Sequence, residues 1–206
     1  MIDAYHGRAA SNYDTRWRTF TARMLTPVVD LAQARLSPQA RILDVGCGTG
    51  VLLARFLAQQ PALVVMGTDQ SVDMLAQTRL RLGTQAQVAE WDLDRPPPQP
   101  VVATAPFDLI TCTNVLHYLH APAHTIQQLG QLLTPHGQLL MADFIRHEWW
   151  WPLFEVLLHG VDRVHHQTLT SQQLTQLVHD GGLTSQTVQP IVVNHLWHGT
   201  VVLGER

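Results

Sequence analysis

The run Ile42-Leu43-Asp44-Val45-Gly46-Cys47-Gly48-Thr49-Gly50 constrains this chain more than any other, because an apolar stretch of strand type enters a loop with three glycines in five positions. Backbone without Cβ atoms turns sharply and lets a ligand come close to its N–H groups. A helix expected from Thr49 onward directs its positive end at the same spot. The combination predicts a strand, loop and helix with a small polar, nucleotide-like ligand at the tip.

Strand and helix patterns alternate from there. Strands are expected at 41–45, 63–68, 86–90, 107–112 and 137–143, with helices at about 50–60, 71–82 and 122–134. Such alternation implies right-handed crossovers and a parallel sheet covered on both faces. Ahead of it, residues 14–36 read as a helix with Trp17, Phe20, Met24, Val28 and Leu31 at three- and four-residue steps, closed by Ser37-Pro38. Arg95-Pro96-Pro97-Pro98-Gln99-Pro100 reads as a stiff exposed loop. Beyond Asp143 the pattern gives an apolar helix around 149–162, an amphipathic one at 170–180 and two β-rich runs, 185–193 and 197–203. Gly181-Gly182 ends the helix before them, and the two runs form a hairpin.

Composition excludes several classes of function. At 206 residues, with 46% hydrophobic and 14% charged residues, the chain fits one soluble globular domain. No apolar run has the length of a membrane span, and Met1-Ile2-Asp3-Ala4-Tyr5-His6 lacks the order of a secretory signal, so a cytoplasmic location is expected. The net charge is −3 and the thirteen basic residues are all Arg, scattered along the chain, which gives no field for nucleic acid. Without Lys there is no Schiff-base chemistry and no phosphate-binding lysine. Cys47 and Cys112 are too few for a disulfide scaffold; small buried thiols are the expectation, a pair meeting at adjacent strand ends the alternative. His117, His120 and His124 have no carboxylate at matching spacing, and His147-Glu148 is followed by Trp151 where a zincin needs its second His, so no metal is expected.

With the preceding Asp44, the loop reads Asp-x-Gly-x-Gly-x-Gly and resembles the first motif of class I S-adenosylmethionine (SAM)-dependent methyltransferases at all four fixed positions. The dinucleotide fingerprint Gly-x-Gly-x-x-Gly fails at Val51. The resemblance implies an α/β, Rossmann-like fold: a seven-stranded, mostly parallel sheet with helices on both faces and a C-terminal antiparallel hairpin whose last strand lies between the fifth and sixth. It implies a single domain over 1–206, with 1–38 as a helical cap and 144–168 as a variable acceptor or lid segment.

The same resemblance distributes roles. Asp44, Gly46, Cys47 and Gly48 form the donor loop, with Tyr13 beside it. Asp69, at the end of the second strand, would accept two ribose hydroxyls; the alternative, capping the next helix, is within reach of Ser71. Asp69-Gln70-Ser71-Val72-Asp73-Met74-Leu75 is similar to the family's continuation, making Gln70 and Met74 walls for adenine. The third strand ends Glu90-Trp91-Asp92, where the family carries an acidic residue and then a small one for the adenine edge. Trp91 departs from that, and Glu90 is preferred over Asp92 for the carboxylate, with the Trp91 N–H beside it; either acid reads equally as a solvated charge. Phe107-Asp108-Leu109-Ile110 followed by Thr113-Asn114-Val115-Leu116-His117 resembles the fourth strand and its turn. Thr113 and Asn114 then lie near the methionine end of SAM, and His117 stands either where an acceptor enters or as a structural imidazole. Leu132-Leu133-Thr134-Pro135-His136-Gly137 is similar to the turn into strand five, with His136 replacing a glycine.

Methyl transfer chiefly asks for alignment and exclusion of water, with neither a metal nor a covalent intermediate. By type, His117, His147, Glu148, His165 and His166 are candidate bases. The implied acceptor is a small, partly apolar or aromatic molecule reacting at O, N, S or C. Acceptor choice is expected to lie with Tyr13, Trp17 and Trp149-Trp150-Trp151-Pro152-Leu153-Phe154 as an apolar lid; of three adjacent Trp at least one packs inward, and a purely structural role stands equal to that of an acceptor wall. Two other readings stand beside this one: a SAM-binding protein without turnover, and a nicotinamide-dependent oxidoreductase. The oligomeric state is not legible.

Overall fold

Alternate residues of the first strand feed two different cores, and this organises the whole molecule. In β1 (Arg41–Val45), Ile42 packs on one side of the sheet while Leu43 and Val45 pack on the other, all fully buried. The computed structural model describes residues 7–146, 151, 168–195 and 197–206. Within them the chain runs α1 (Arg8–Ser11), α2 (Tyr13–Gln33), β1, α3 (Val51–Gln59), β2 (Val64–Asp69), α4 (Val72–Leu82), β3 (Ala86–Glu90), α5 (Gln99–Thr104), β4 (Phe107–Thr113), α6 (Pro122–Gln131), β5 (Leu133–Phe144), α7 (Ser171–Asp180), β6 (Thr184–Val192) and β7 (His198–Glu205).

The seven strands form one sheet in the order β3-β2-β1-β4-β5-β7-β6. Pairing is parallel from β3 to β5 and antiparallel at β5·β7 and β7·β6, so the last strand does lie between the fifth and sixth. On one face Leu43, Ile110 and Met141 meet Ile126 and Leu129 of α6 and Leu174 and Val178 of α7. On the other, Ile42, Leu109 and Leu140 meet Met24 and Val28 of α2 and Leu53 and Phe56 of α3. Strands buried on both faces need continuous apolar runs, which explains why β4 and β5 read that way.

Several boundaries differ from the sequence expectations. Helix α2 ends at Gln33, before Ser37-Pro38, and carries Pro27 inside it. The proline-rich stretch is a loop only as far as Pro98: α5 starts at Gln99 with Pro100 in its first turn, where a missing N–H costs nothing. The helix after the glycine loop starts at Val51, its cap being Gly50 at φ 77°. Strand β5 begins at Leu133, four residues early, and its pairing with β4 shifts register between Phe107 and Leu109. His136 sits there at φ 67°, so it occupies a left-handed position that glycine would fill without strain. Helix α7 is closed at its start by a reciprocal capping box between Thr170 and Gln173. The expected helix around 149–162 falls, apart from Trp151, outside the described residues. No helix among the described residues is long and apolar enough to cross a membrane.

Candidate functional site

Strand order reverses between β1 and β4: β2 and β3 lie to one side of β1, while β4 and β5 lie to the other. Loops leaving the carboxyl ends of these strands diverge there and leave a crevice. It holds a cavity of about 400 Å³, within the range of small-molecule clefts. Asp44, Gly46, Cys47, Gly48, Asp69, Gln70, Met74, Trp91, Asp92, Thr113, Asn114 and His117 all line it, as does Tyr13 from α2. Thus thirteen of the fourteen candidate residues converge on one space.

Glu90 is the exception. It is exposed at the end of β3 and is not among the lining residues, whereas Asp92, two residues on, is. The preference for Glu90 is therefore corrected on position: β3 ends at Glu90, and it is followed by Trp91, whose indole is buried and bonded through Nε1 to the Arg95 carbonyl at 3.1 Å. The Trp91 N–H is also not offered to a ligand, since it donates to the Asp69 carbonyl at 3.1 Å. Asp92 accepts from the Asp94 N–H at 3.2 Å and faces Arg95 Nε at 3.3 Å.

The glycine loop works differently from the expected row of ligand-facing amides. Cys47 N–H donates to the Thr68 carbonyl at 2.8 Å, Gly50 N–H to the Cys47 carbonyl at 2.9 Å and Gly48 N–H to Asp69 Oδ2 at 2.9 Å. The loop thereby fastens itself to the end of β2. Its glycines serve shape: Gly46 at φ 67° lies where a Cβ would overlap Val115 Cγ2, and a Cβ on Gly50 would come within 2.9 Å of Thr78. A pyrophosphate cradle needs those spent amides, which argues against a dinucleotide more directly than Val51 does.

Asp69 is held by two backbone donors, Gly48 N–H and Ser71 N–H, the latter on Oδ1 at 2.9 Å. Ser71, and not Asp69, caps α4, its Oγ accepting from Met74 N–H at 3.3 Å. Asp44 is buried and accepts from Thr111 Oγ at 2.7 Å. Burial lifts its carboxyl to about 7, the Thr111 hydroxyl opposes the rise, and the nearby Asp69 charge adds to it. The Cys47 thiol is pushed well up by burial and by Asp44 and Asp69, so it stays protonated and packs as a small apolar group. Cys112 is likewise free, buried and raised.

His117, 5% exposed, sits in a 3-10 turn after β4. Its Nδ1 is 2.8 Å from Asp143 Oδ1 at the end of β5, and its backbone N–H donates to Oδ2 at 3.4 Å. Asp143 went unnoticed in the sequence because Met141-Ala142-Asp143-Phe144 reads as a plain strand end; a buried-strand acid is the one signal that marks it. Trp197 was missed too, since it lies in a hairpin turn. Trp17, Phe20, Trp197 and Phe144 follow one another edge to face at 5.9, 5.9 and 5.2 Å, and Phe144 meets the His117 ring at 4.4 Å. Trp151 is fully buried, its ring 6.0 Å from that of Trp197, so at least one of the three adjacent Trp does pack inward. Trp149, Trp150, Pro152, Leu153, Phe154, His147, Glu148, His165 and His166 lie outside the described residues. Among the described residues no cluster of three His, Cys, Asp or Glu is placed to hold a metal.

Comparison with known proteins agrees with this geometry. Residues 43–139 match the family model described as a methyltransferase domain. The chain is 33% identical over 125 residues to trans-aconitate 2-methyltransferase of Methylobacterium nodulans, a match covering 58% of this chain and 45% of that protein. It is 30% identical over 107 residues to the ubiquinone biosynthesis O-methyltransferase of Aromatoleum aromaticum, covering 52% and 45%. The matches thus span about half the length of these relatives. Among solved structures, magnesium protoporphyrin IX methyltransferase of Synechocystis superposes with a TM-score of 0.67 at 19% identity over 92% of this chain and 83% of that one. An O-methyltransferase family 2 protein of Planctomyces limnophilus gives 0.72 at 17% over 98% and 62%; at such identities the likeness is one of fold. The Asp44 to Gly50 loop, the β1/β4 crevice and the inserted last strand together give this chain the fold of class I SAM-dependent methyltransferases, with a methyltransferase domain matched over residues 43–139.

Proposed function

We propose that the protein transfers a methyl group from SAM to a small, partly apolar or aromatic acceptor. The observation that carries this reading is that one cavity joins two unlike halves: a carboxylate-rich one at the ends of β1 to β3 and an aromatic one at the ends of β4 and β5. When bound, SAM supplies a methyl carbon on a positively charged sulfur. The residues present fit it. Asp69, its plane fixed by two N–H groups, is placed to accept ribose hydroxyls. Gln70, Met74, Trp91 and Asp92 surround the space for adenine. Asn114, at φ 56°, has a buried Oδ1 without a hydrogen-bond partner among the described residues, an acceptor that a ligand ammonium would satisfy. Buried Asp44 gives the positively charged end a counter-charge.

Helix α2 lines the same space through Tyr13, Trp17 and Phe20, which supports a cap role for the 1–38 segment. Asp14 ties it down: Thr49 Oγ donates to Asp14 Oδ1 at 2.6 Å, and Arg81 bridges the Asp14 carboxylate and the Thr49 carbonyl. This pair is partly exposed, so its own contribution is small, roughly 1 kcal/mol or less. Asp14→Ala is expected to weaken SAM binding a few-fold by releasing Tyr13 and Trp17, with a similarly small loss in urea denaturation. Unchanged affinity would remove α2 from the site.

The names of trans-aconitate 2-methyltransferase and of ubiquinone biosynthesis O-methyltransferase among the relatives support a small-molecule acceptor. Titration calorimetry with SAM and S-adenosylhomocysteine tests the donor half; release of S-adenosylhomocysteine with an acceptor panel tests turnover. Binding without release would make this a SAM-binding protein, and no binding at millimolar SAM would overturn the reading altogether.

A further inference from the structure

We infer that the acceptor is a planar phenol, and that Asp143 positions His117 to take its hydroxyl proton; this rests on the function proposed above. The aromatic half of the cavity carries the first part. Trp17, Phe20, Trp197 and Phe144 form an unbroken file of rings, neighbours 5.2 to 5.9 Å apart, that ends against His117, and all five side chains line the cavity. Such walls favour a flat ring, stacked or met edge-on, over a flexible aliphatic chain. Charge carries the next step. The carboxylate behind this half, Asp143, is buried outside the lining and engaged by the His117 ring and by the N–H groups of His117 and Phe144. It is not presented to an ammonium. The guanidinium on the described lining, Arg16, is exposed and lies 5.4 Å over the Trp17 ring, away from the His117 end of the file. An acceptor carboxylate would also arrive ionised and need no base. A neutral group that must shed a proton as it reacts suits the site best.

The dyad supplies that service. With Asp143 accepting from Nδ1–H, the imidazole is held in the tautomer whose Nε2 bears a lone pair, and the carboxylate stabilises the imidazolium that forms. In the transfer the phenolic oxygen forms a bond to the methyl carbon as the methyl–sulfur bond breaks, and sulfur keeps the electron pair. The hydroxyl proton passes to His117 Nε2 and then to solvent. The products are an aryl methyl ether, S-adenosylhomocysteine and one proton, with no oxidant or further reagent required.

The experiment uses the full chain at pH 8 with SAM and matched panels of one- and two-ring phenols, anilines and benzoates, following S-adenosylhomocysteine. Phenols are expected to be the methylated class. Preference for benzoates or anilines, or no turnover of any phenol, overturns the inference. Calorimetry with S-adenosylhomocysteine separates that failure from failure of the methyltransferase reading, since binding persists in the first case and is lost in the second. For the dyad, His117→Gln is expected to lower kcat for an ordinary phenol by about 100-fold or more. For a nitrophenol, already largely ionised at pH 8, the loss should be less than about tenfold, because little proton transfer remains to be catalysed. Asp143→Asn should show the same contrast with S-adenosylhomocysteine affinity unchanged. Equal losses for both phenols would make the pair structural and overturn its catalytic assignment. If Asp143→Asn does not fold, the His117→Gln contrast decides alone.

Discussion

Asp69→Ala is expected to raise the dissociation constant for SAM by about 100-fold, the loss of two hydroxyl bonds to a charged acceptor at roughly 1.5–3 kcal/mol each, partly recovered by water. Calorimetry reads this directly. The substitution also strips Gly48 N–H and Ser71 N–H of their acceptor, so the ligand-free protein should lose roughly 1–2 kcal/mol in denaturation as well. Asp69→Asn separates the two effects. It keeps one acceptor oxygen for a backbone donor but gives up the charge, so it should recover most of the stability and little of the affinity. An unchanged dissociation constant in both variants would sink the donor-site assignment.

Asp44→Asn is expected to stabilise the ligand-free protein at pH 8 and to leave it unchanged near pH 4. The carboxyl is lifted from an ordinary 3.8 to about 7, first by burial. Between those values the folded state holds a proton that the unfolded chain has released. Stability from this group is therefore full below about 4, falls as pH rises, and is lost above about 7. Three units amount to a penalty on the order of 4 kcal/mol, an upper bound in the absence of structural relaxation. Asparagine keeps an oxygen for the Thr111 hydroxyl and carries no charge. Urea denaturation at the two pH values checks the sign. SAM binding should show the reverse pattern: its positive charge favours the ionised form, so wild-type affinity rises with pH through the same window while that of Asp44→Asn stays flat. The native residue thus trades stability for a counter-charge at the donor.

The strand and helix order was legible because strands buried on both faces leave largely apolar runs, as at Ile42–Val45, interrupted by Asp44, and Leu109–Cys112, interrupted by Thr111. The residues proposed to hold the donor were legible because they lie on three short stretches at or just past the carboxyl ends of strands, at 44–48, 69–74 and 91–92. Glu90 misled because β3 ends on it with its side chain exposed, while the half-buried carboxylate comes two residues later, at Asp92. The aromatic half was not legible, since it is assembled from α2, the end of β5 and the β6–β7 turn, three places far apart along the chain. The partnership of His117 with Asp143 spans 26 residues and depends on β4 and β5 being neighbours. Pro27 inside α2 and Pro100 inside α5 show a related limit: local breaker rules yield where the lost N–H is tolerable or the helix is clamped by packing.

The outermost strand also bears on how the protein keeps to itself. β6 forms one rim of the sheet and carries Val188 and Val192 exposed, the type of surface that recruits a foreign strand. Pro190 lies between them in register with Thr200. A proline in a paired strand turns its nitrogen outward, so an incoming chain finds a donor missing midway along the ladder it would have to complete. A strand added at that rim would therefore meet a ring where its ladder needs a donor.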